Sequence, residues 1–366
     1  MSIGVIGKRE KRAVRLIVAA TGMALLAAAC GSSKGTASSA TTAADPAATT
    51  TSSAPVTVRV GYFPNITHAP ALVGVQEGIF AKDLAPDKLD ASKTFNAGPA
   101  ETEALLSGAI DIAFIGPSPS ITAFTKSSGA VKIIAGAASG GAGLVVKSSI
   151  TSVDQLKGKT LATPQLANTQ DIALRAFLAS KGFKTDTQGG GDVHITPQDN
   201  SQTILTFKQG TIDGAWVPEP YLSELLAEGG KLLVDERTLW PGGQWVTTNV
   251  LVRTDFLQAH PATVQRFLTG LVDTVSAMKA DPAAAQTAAN AQLTSLTGKA
   301  LAAPVLAAAF ADTTFTVDPI ASSLQTEASD AVAAGLLKAP NLTGIYDLTI
   351  LNQVLKEKNM PAVASS

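Results

Sequence analysis

The chain has 366 residues and is close to charge balance, with 28 lysines and arginines, 29 aspartates and glutamates and a formal net charge of −1 at pH 7. Nucleic-acid-binding proteins usually present a strongly basic surface, so we expect no nucleic-acid partner. With one cysteine and three scattered histidines, the sequence has no cluster with metal-ligand spacing, and we expect neither a metal nor another cofactor.

The first 29 residues have the pattern of an export signal. All their basic residues fall between Lys8 and Arg15, and an apolar run from Leu16 to Ala29 follows. This run is shorter than the roughly 20 residues that a transmembrane helix needs, so we expect cleavage rather than a membrane-spanning anchor. Cleavage would remove more basic than acidic residues and leave the mature chain net acidic.

Cys30 is the only cysteine of the chain and follows three alanines, Ala27 to Ala29. This arrangement resembles the lipobox of bacterial lipoproteins, in which the cysteine is acylated and becomes the mature N-terminus. The resemblance implies a lipoprotein signal peptide at residues 1–29 and a lipid anchor on Cys30, at the outer face of the cytoplasmic membrane. Ala27 stands where the lipobox usually has leucine, so the alternative is ordinary cleavage nearby with Cys30 as a free thiol. The protein is exported in either case.

Residues 30–55 have the composition of a flexible tether. They are nearly all Ala, Ser, Thr and Gly, without the large apolar side chains whose burial could offset the entropy cost of ordering. The chain from Val56 onward exceeds the length at which one hydrophobic core usually suffices. We therefore expect two lobes.

From residue 56 onward, strand-like and helix-like segments alternate. Valines alternate with polar residues from Val56 to Val60, which indicates a strand, and an apolar pattern from 69 to 80 indicates a helix. This order recurs and predicts an α/β fold. We place lobe 1 at residues 56–145 and 249–366 and lobe 2 at residues 146–248, with two crossover segments between them.

Polar loops follow several of the predicted strands. In an open α/β sheet, ligands bind beyond the carboxyl ends of the strands, where helix N-termini converge. Free backbone N–H groups and the partial positive charge of a helix N-terminus can hold an anion without Lys or Arg. The candidate loops are residues 62–69, 96–101, 116–120, 163–170 and 216–221.

Each candidate loop also has a structural interpretation. The GPSPS motif at 116–120 is typical of a turn and helix cap, whereas TPQLANTQD at 163–171 offers more polar donors than a cap requires. Trp216 could wall a pocket around a short apolar tail or pack between the lobes. Glu219 could meet a ligand ammonium or complement a helix N-terminus. His68 could bind an oxyanion or make a structural contact.

Six strings occur in a fixed order along the chain: GYFPNITHAPALVG, FNAGPAETEALLSGAIDIAFIGPSPSI, AGAASGGAGLVV, LATPQLANTQDIALRAFL, GTIDGAWVPEPY and LWPGGQWVTTNVLVRTDF. Together, from Val58 to about Phe267, they resemble the aliphatic-sulfonate, nitrate and taurine group of ABC-importer binding proteins. The resemblance implies a class II periplasmic-binding-protein fold, in which two α/β lobes close on a ligand. It also implies docking on a membrane permease that works with an ATPase.

The resemblance places the ligand between the lobes, on the loops already singled out. Tyr62, the first residue of the loop 62–69, is expected to form a wall for an apolar tail. Ser139 lies in the AGAASGG part of the third string. The expected ligand-binding residues are Tyr62, Asn65, His68, Gly98, Pro99, Ser118, Ser120, Ser139, Gln165, Asn168, Thr169, Gln170, Trp216 and Glu219.

Trp216 and Tyr62 favour an anion with a tail, so an aliphatic sulfonate is the first ligand expected. Nitrate, bicarbonate, taurine and thiamine precursors are the alternatives within the family. The competing class is an enzyme of the same fold, which the export signal and the missing final glycine of a GxSxG motif at 116–120 disfavour. We therefore expect an exported, monomeric binding protein without catalytic residues.

Overall fold

The computed structural model describes residues 54–365. The predicted signal peptide and Cys30 lie outside these residues, as does the predicted tether apart from its last two positions. The predictions for the N-terminal segment are therefore untested by the structure.

Strands and helices alternate along residues 54–365, as the sequence pattern predicts. The strands are β1 (Thr57–Tyr62), β2 (Lys88–Thr94), β3 (Ile112–Ile115), β4 (Val131–Gly140), β5 (Ala142–Lys147), β6 (Thr160–Thr163), β7 (His194–Pro197), β8 (Gly214–Pro218), β9 (Gly230–Asp235), β10 (Val246–Arg253) and β11 (Thr313–Phe315). The α-helices are α1 (Ala69–Gln76), α2 (Ile79–Leu84), α3 (Gly98–Leu106), α4 (Pro117–Lys126), α5 (Thr169–Ser180), α6 (Asn200–Lys208), α7 (Tyr221–Ala227), α8 (Thr254–Ala259), α9 (Pro261–Ala280), α10 (Pro282–Thr297), α11 (Ala303–Asp312), α12 (Ala321–Ala333) and α13 (Thr349–Glu357).

Two separate sheets organise these elements. The six-stranded sheet has the order β11-β4-β10-β3-β1-β2, and the five-stranded sheet has the order β7-β6-β8-β5-β9. In the first sheet, β1 pairs in parallel with β2 and β3, whereas β10 runs antiparallel to β3 and β4. In the second sheet, β6 pairs in parallel with β7 and β8, whereas β5 runs antiparallel to β8 and β9. The predicted α/β class and its two crossover segments are confirmed.

The chain changes sheet at two places. It leaves the six-stranded sheet after β4 through Gly141, whose φ of 70° lies in the left-handed region that glycine adopts without a Cβ penalty. It returns between β9 and β10. The predicted lobe limits at 145/146 and 248/249 fall inside β5 and β10, because hydrogen bonding commits a whole strand to one sheet. The assignment of residues to lobes stays a prediction.

Aromatic and aliphatic side chains pack on both sheets. Beside the six-stranded sheet, the rings of Phe80 and Phe267 stack with centroids 4.9 Å apart, and Phe114 meets Phe267 edge-on at 6.1 Å. Beside the five-stranded sheet, Trp216 packs on Phe177 at 5.5 Å. Each sheet thus has a hydrophobic core of its own. Burial of each large apolar side chain contributes roughly 1.5–3 kcal/mol to the free energy of unfolding.

Within residues 54–365, no helix combines the length and the apolarity needed to cross a membrane. In the same range, no three His, Cys, Asp or Glu side chains lie close enough together to hold a metal ion.

Candidate functional site

A small cavity lies between the two sheets. On the six-stranded side it is lined by residues of three loops and the start of β10: Phe63, Asn65, Thr67, His68, Gly98, Gly116, Pro119 and Thr247. On the other side it is lined by Asn168, Thr169, Gln170 and Pro218. Its volume of about 20 Å³ is room for little more than one water molecule. The two halves of the protein are thus nearly closed on each other.

Contacts between the two halves hold this closed arrangement. The backbone N–H of Ile66 donates to the carbonyl of Glu219 at 3.0 Å. The Asn96 side-chain amide donates to Asp199 Oδ1 at 2.8 Å. Two ion pairs also join the halves, Arg237 with Asp312 at 2.6 Å and Lys299 with Glu224 at 3.2 Å.

Three helices begin at the cavity. Gly98 is the first residue of α3, Gly116 is the N-cap of α4, and Asn168 is the N-cap of α5. No side chain caps the N-terminus of α3 or of α4. The first N–H groups of a helix lack intrahelical partners and carry the positive end of its dipole. Prolines have no N–H, so the first three residues of α3 and of α4 leave Gly98, Ala100 and Ser118 as backbone donors. The three starts together favour an anion.

The start of α5 is rigid and still leaves one free donor. The Asn168 side chain accepts from the Asp171 N–H at 2.9 Å, and Asp171 forms a buried ion pair with Arg175 at 3.0 Å. The Asn168 amide also donates to Gln170 Oε1 at 3.1 Å. Thr169 Oγ1 is buried at the cavity and has no hydrogen-bond partner in the structure. Its hydroxyl is therefore available to a ligand.

His68 presents a second donor. Its ring is buried and stacks on Phe63 with centroids 4.2 Å apart, and Nδ1 accepts a hydrogen bond from the Phe63 N–H. Burial lowers the pKa of His68 to about 3, so the ring is neutral at physiological pH. A neutral ring with an accepting Nδ1 carries its proton on Nε2, which is left as a donor.

Six of the predicted ligand-binding residues line the cavity: Asn65, His68, Gly98, Asn168, Thr169 and Gln170. They come from three separate loops, which the fold brings together. Contact of these six residues with a ligand stays a prediction.

Several other predicted residues do not line the cavity and have hydrogen-bond partners within the fold. The Tyr62 hydroxyl accepts from the Gln292 amide at 3.0 Å, and Ser118 Oγ donates to Glu327 at 3.0 Å. Ser120 Oγ donates to the Gly116 carbonyl at 2.8 Å. Their polar atoms serve the fold in this closed arrangement.

The side chains of Trp216 and Glu219 do not line the cavity either. Trp216 is fully buried in the core of the five-stranded sheet and donates from Nε1 to Glu236 at 2.7 Å. Glu219 accepts from the Ser223 hydroxyl at 2.7 Å and from the Ser223 N–H at 3.1 Å. Burial raises the pKa of Glu219 to about 7, although these hydrogen bonds oppose the shift.

Three further predicted residues do not line the cavity: Pro99, Ser139 and Gln165. Pro99 lies in the first turn of α3 and has no N–H to offer. Ser139 faces a neighbouring space beside Arg237, and the Gln165 carbonyl accepts the Asn168 N–H at 3.2 Å.

Six lining residues were not singled out from the sequence: Phe63, Thr67, Gly116, Pro119, Pro218 and Thr247. All except Thr247 belong to the candidate loops. Thr247 lies in β10, where a pair of threonines interrupts an otherwise apolar strand, and that pair is the signal that could have identified it. Its hydroxyl donates to the Gly140 carbonyl at 2.6 Å.

Known proteins resemble this chain in sequence and in fold. The model of the NMT1-like family matches residues 51–293. The taurine-binding periplasmic protein of Escherichia coli (strain K12) is 31% identical over 231 residues, which are 62% of this chain and 68% of that protein. A putative aliphatic sulfonates-binding protein of Bacillus subtilis (strain 168) is 27% identical over 233 residues, 58% of this chain and 62% of that protein.

A solved structure shares the fold. The alkanesulfonate-binding protein of Xanthomonas axonopodis pv. citri, bound to MOPS, superposes with a TM-score of 0.68 and 20% identity, over 81% of this chain and 99% of that one. Identity at this level shows the fold alone. The predicted periplasmic-binding-protein fold is thereby confirmed.

Proposed function

The chain belongs to the NMT1-like family, and we propose that it is the extracytoplasmic substrate-binding component of an ABC importer, with a small organic anion held between its two sheets. The observation that carries this proposal is the meeting of three helix N-termini at one buried cavity with uncharged walls. Such a site stabilises negative charge by oriented backbone amides.

In the proposed binding mechanism, both halves of the protein contribute groups that contact the anion. The loop that holds His68 and the starts of α3 and α4 belong to the six-stranded half, and the start of α5 belongs to the five-stranded half. An anion would be bound by the first set in an open protein. Thr169 and the α5 amides would then reach it on closure, so that binding energy favours the closed state that a permease recognises.

Among anions, an aliphatic sulfonate is the first candidate. Phe63, Pro119 and Pro218 give the cavity apolar walls for a short tail. The relatives named above bind taurine or, by name, aliphatic sulfonates. Nitrate or bicarbonate, taurine and thiamine precursors are the alternative ligands. Nitrate and bicarbonate need only the polar cage, whereas a sulfonate with its tail needs the cavity to be wider than in this closed arrangement, and a thiamine precursor needs it to be wider still.

A thermal-shift screen tests the proposal. A ligand that binds only the folded state stabilises it by RT ln(1 + L/Kd), where L is the free ligand concentration, so the midpoint of unfolding rises with ligand concentration. We expect a rise with ethanesulfonate and no rise with a cation of similar size, such as ethylammonium. Flat curves with alkanesulfonates, taurine, nitrate, bicarbonate and thiamine precursors alike would refute the binding function.

An enzyme of the same fold is the second class. The relatives named above are binding proteins. Among the residues that line the cavity, no nucleophile lies beside a base. Thr169 offers a free hydroxyl, but the accepting nitrogen of His68 is already engaged by the Phe63 N–H. We expect ethanesulfonate incubated with the protein to be recovered chemically unchanged. Conversion to a product would favour an enzyme.

The proposed setting is the outer face of the cytoplasmic membrane, with the protein a monomer anchored through lipid on Cys30. The predicted lipobox and tether support it. We expect full-length protein in the membrane fraction and Cys30→Ser protein in the soluble exported fraction. Equal partition of both proteins would remove the lipid anchor and leave the binding function in place.

A further inference from the structure

The walls of the cavity contain no carboxylate and no Lys or Arg side chain. Every lining residue is neutral, because burial keeps His68 uncharged. A ligand thus meets hydrogen-bond donors and helix dipoles for its negative end and nothing that could balance a positive end.

The carboxylates nearest in sequence to the lining residues are engaged elsewhere. Glu219 directly follows the lining residue Pro218, but its side chain is fully buried and bonded to Ser223. Asp171 follows Gln170 and is held by Arg175. Neither carboxylate is available to a ligand.

A third carboxylate, Glu101, lies in the first turn of α3 but on another face. A Cβ at Gly61 would touch Glu101 Oε1 together with Ile110 and Phe95, so the carboxyl group sits in apolar surroundings. Burial raises its pKa well above the ordinary value, and its side chain does not line the cavity. Glu101 is therefore not a partner for an ammonium group in the cavity.

The aromatic wall does not replace a carboxylate. Phe63 is the aromatic side chain that lines the cavity, and His68 already covers one face of its ring at 4.2 Å. The positive ends of three helix dipoles meanwhile repel a cation in the same small space. An ammonium group drawn into this cavity would be desolvated without a negatively charged partner.

We propose that this site selects anions with uncharged tails and rejects zwitterions such as taurine, even though a taurine-binding protein is among the relatives. The preference for uncharged tails comes from the absence of a carboxylate among the lining residues and not from the helix starts that hold the anion. This inference rests on the proposed function, since it concerns the ligand of the same cavity.

Isothermal titration with three matched sulfonates tests the inference. Ethanesulfonate, isethionate and taurine share the sulfonate and the two-carbon tail and differ in ending with methyl, hydroxyl or ammonium. We expect ethanesulfonate and isethionate to bind within about tenfold of each other and taurine to bind at least about 100-fold more weakly than isethionate, the size of effect that an unpaired buried charge produces.

The outcomes separate the two proposals. Taurine binding as tightly as isethionate would overturn the inference and leave the anion-binding function standing. Binding of nitrate with the same rejection of taurine would support the inference while replacing sulfonate by a smaller anion. Failure of all these anions to bind would overturn the proposed function and the inference with it.

A carboxylate added to the cavity gives a second test. Gln170 lines the cavity in the first turn of α5, where a carboxylate suits the helix dipole, so Gln170→Glu should fold normally. We expect weaker ethanesulfonate binding and an isethionate-to-taurine preference reduced by at least about tenfold. Gln209→Glu, at an exposed position after α6, makes the same change of net charge away from the cavity and should leave the preference unchanged. An unchanged preference in Gln170→Glu would count against the inference.

Discussion

The backbone N–H of Phe63 donates to Nδ1 of His68 at 3.3 Å, and the two rings stack with centroids 4.2 Å apart. This pairing leaves the proton of the neutral imidazole on Nε2 and keeps the ring at the cavity wall. A histidine in this state acts as a fixed neutral donor.

The first prediction concerns the pH dependence of binding. Because burial lowers the pKa of His68 to about 3, its charge does not change between pH 5.5 and 8. We expect the affinity for ethanesulfonate to vary with pH in the same way in the wild type and in His68→Gln, with His68→Gln weaker at every pH. Additional tightening below about pH 6.5 in the wild type alone would show a cationic histidine instead.

The second prediction concerns the free hydroxyl at the start of α5. Thr169→Val removes a donor and keeps the shape, so the loss of one hydrogen bond to an anion should weaken ethanesulfonate binding by roughly 1.5–3 kcal/mol. Thr102→Val is the control, because its hydroxyl is also buried without a partner but does not line the cavity. Equal affinities of the two variants in titration calorimetry would show that Thr169 does not contact the ligand.

The third prediction concerns closure. Gly116 of the six-stranded half approaches Thr169 of the five-stranded half, and a Cβ on Gly116 would meet the Thr169 hydroxyl. Gly116 has a φ of −67°, so alanine adds no backbone strain. Overpacking costs about 1–3 kcal/mol, and we expect Gly116→Ala to lose roughly 5- to 150-fold in ethanesulfonate affinity.

The control for Gly116→Ala is the protein without ligand. If the clash arises only on closure, the midpoint of thermal unfolding of the free variant should stay near that of the wild type. A large drop in this midpoint would place the clash within one half of the protein, and wild-type affinity would show that the closed contact is not needed.

The fourth prediction concerns stability. Burial raises the pKa of Glu236 to about 7 in the folded protein, despite a hydrogen bond from Trp216, whereas in the unfolded chain the group ionises near pH 4.3. Between these values the folded state keeps a proton that the unfolded state releases, so this group lowers stability as pH rises from about 4.3 to about 7. Glu236→Gln removes the effect.

We therefore expect Glu236→Gln to gain thermal stability relative to the wild type when both are moved from pH 4.5 to pH 8. The exposed Glu77, changed in the same way, should show no such gain. A Glu236→Gln difference that is constant across this range would show that Glu236 ionises alike in the folded and unfolded chains.

The sequence by itself determined the class of fold and the loops that carry the cavity. Local patterns suffice for this, because alternating apolar residues specify strands such as β1 and because Gly, Pro and Asn mark the starts of α3, α4 and α5. The six ordered strings likewise pointed to the family that the comparisons support. The residue limits of the two lobes stay a prediction, since strand pairing is not local.

The tertiary structure alone decided which side chains of those loops face the cavity. Trp216 lies within β8, and Thr169 begins the helix that follows β6. Trp216 turns into the core to reach Glu236, whereas Thr169 keeps its hydroxyl at the cavity. Glu219 is likewise taken up by Ser223. Such choices depend on partners from distant parts of the chain, and each buried polar group points to the partner that offsets its desolvation.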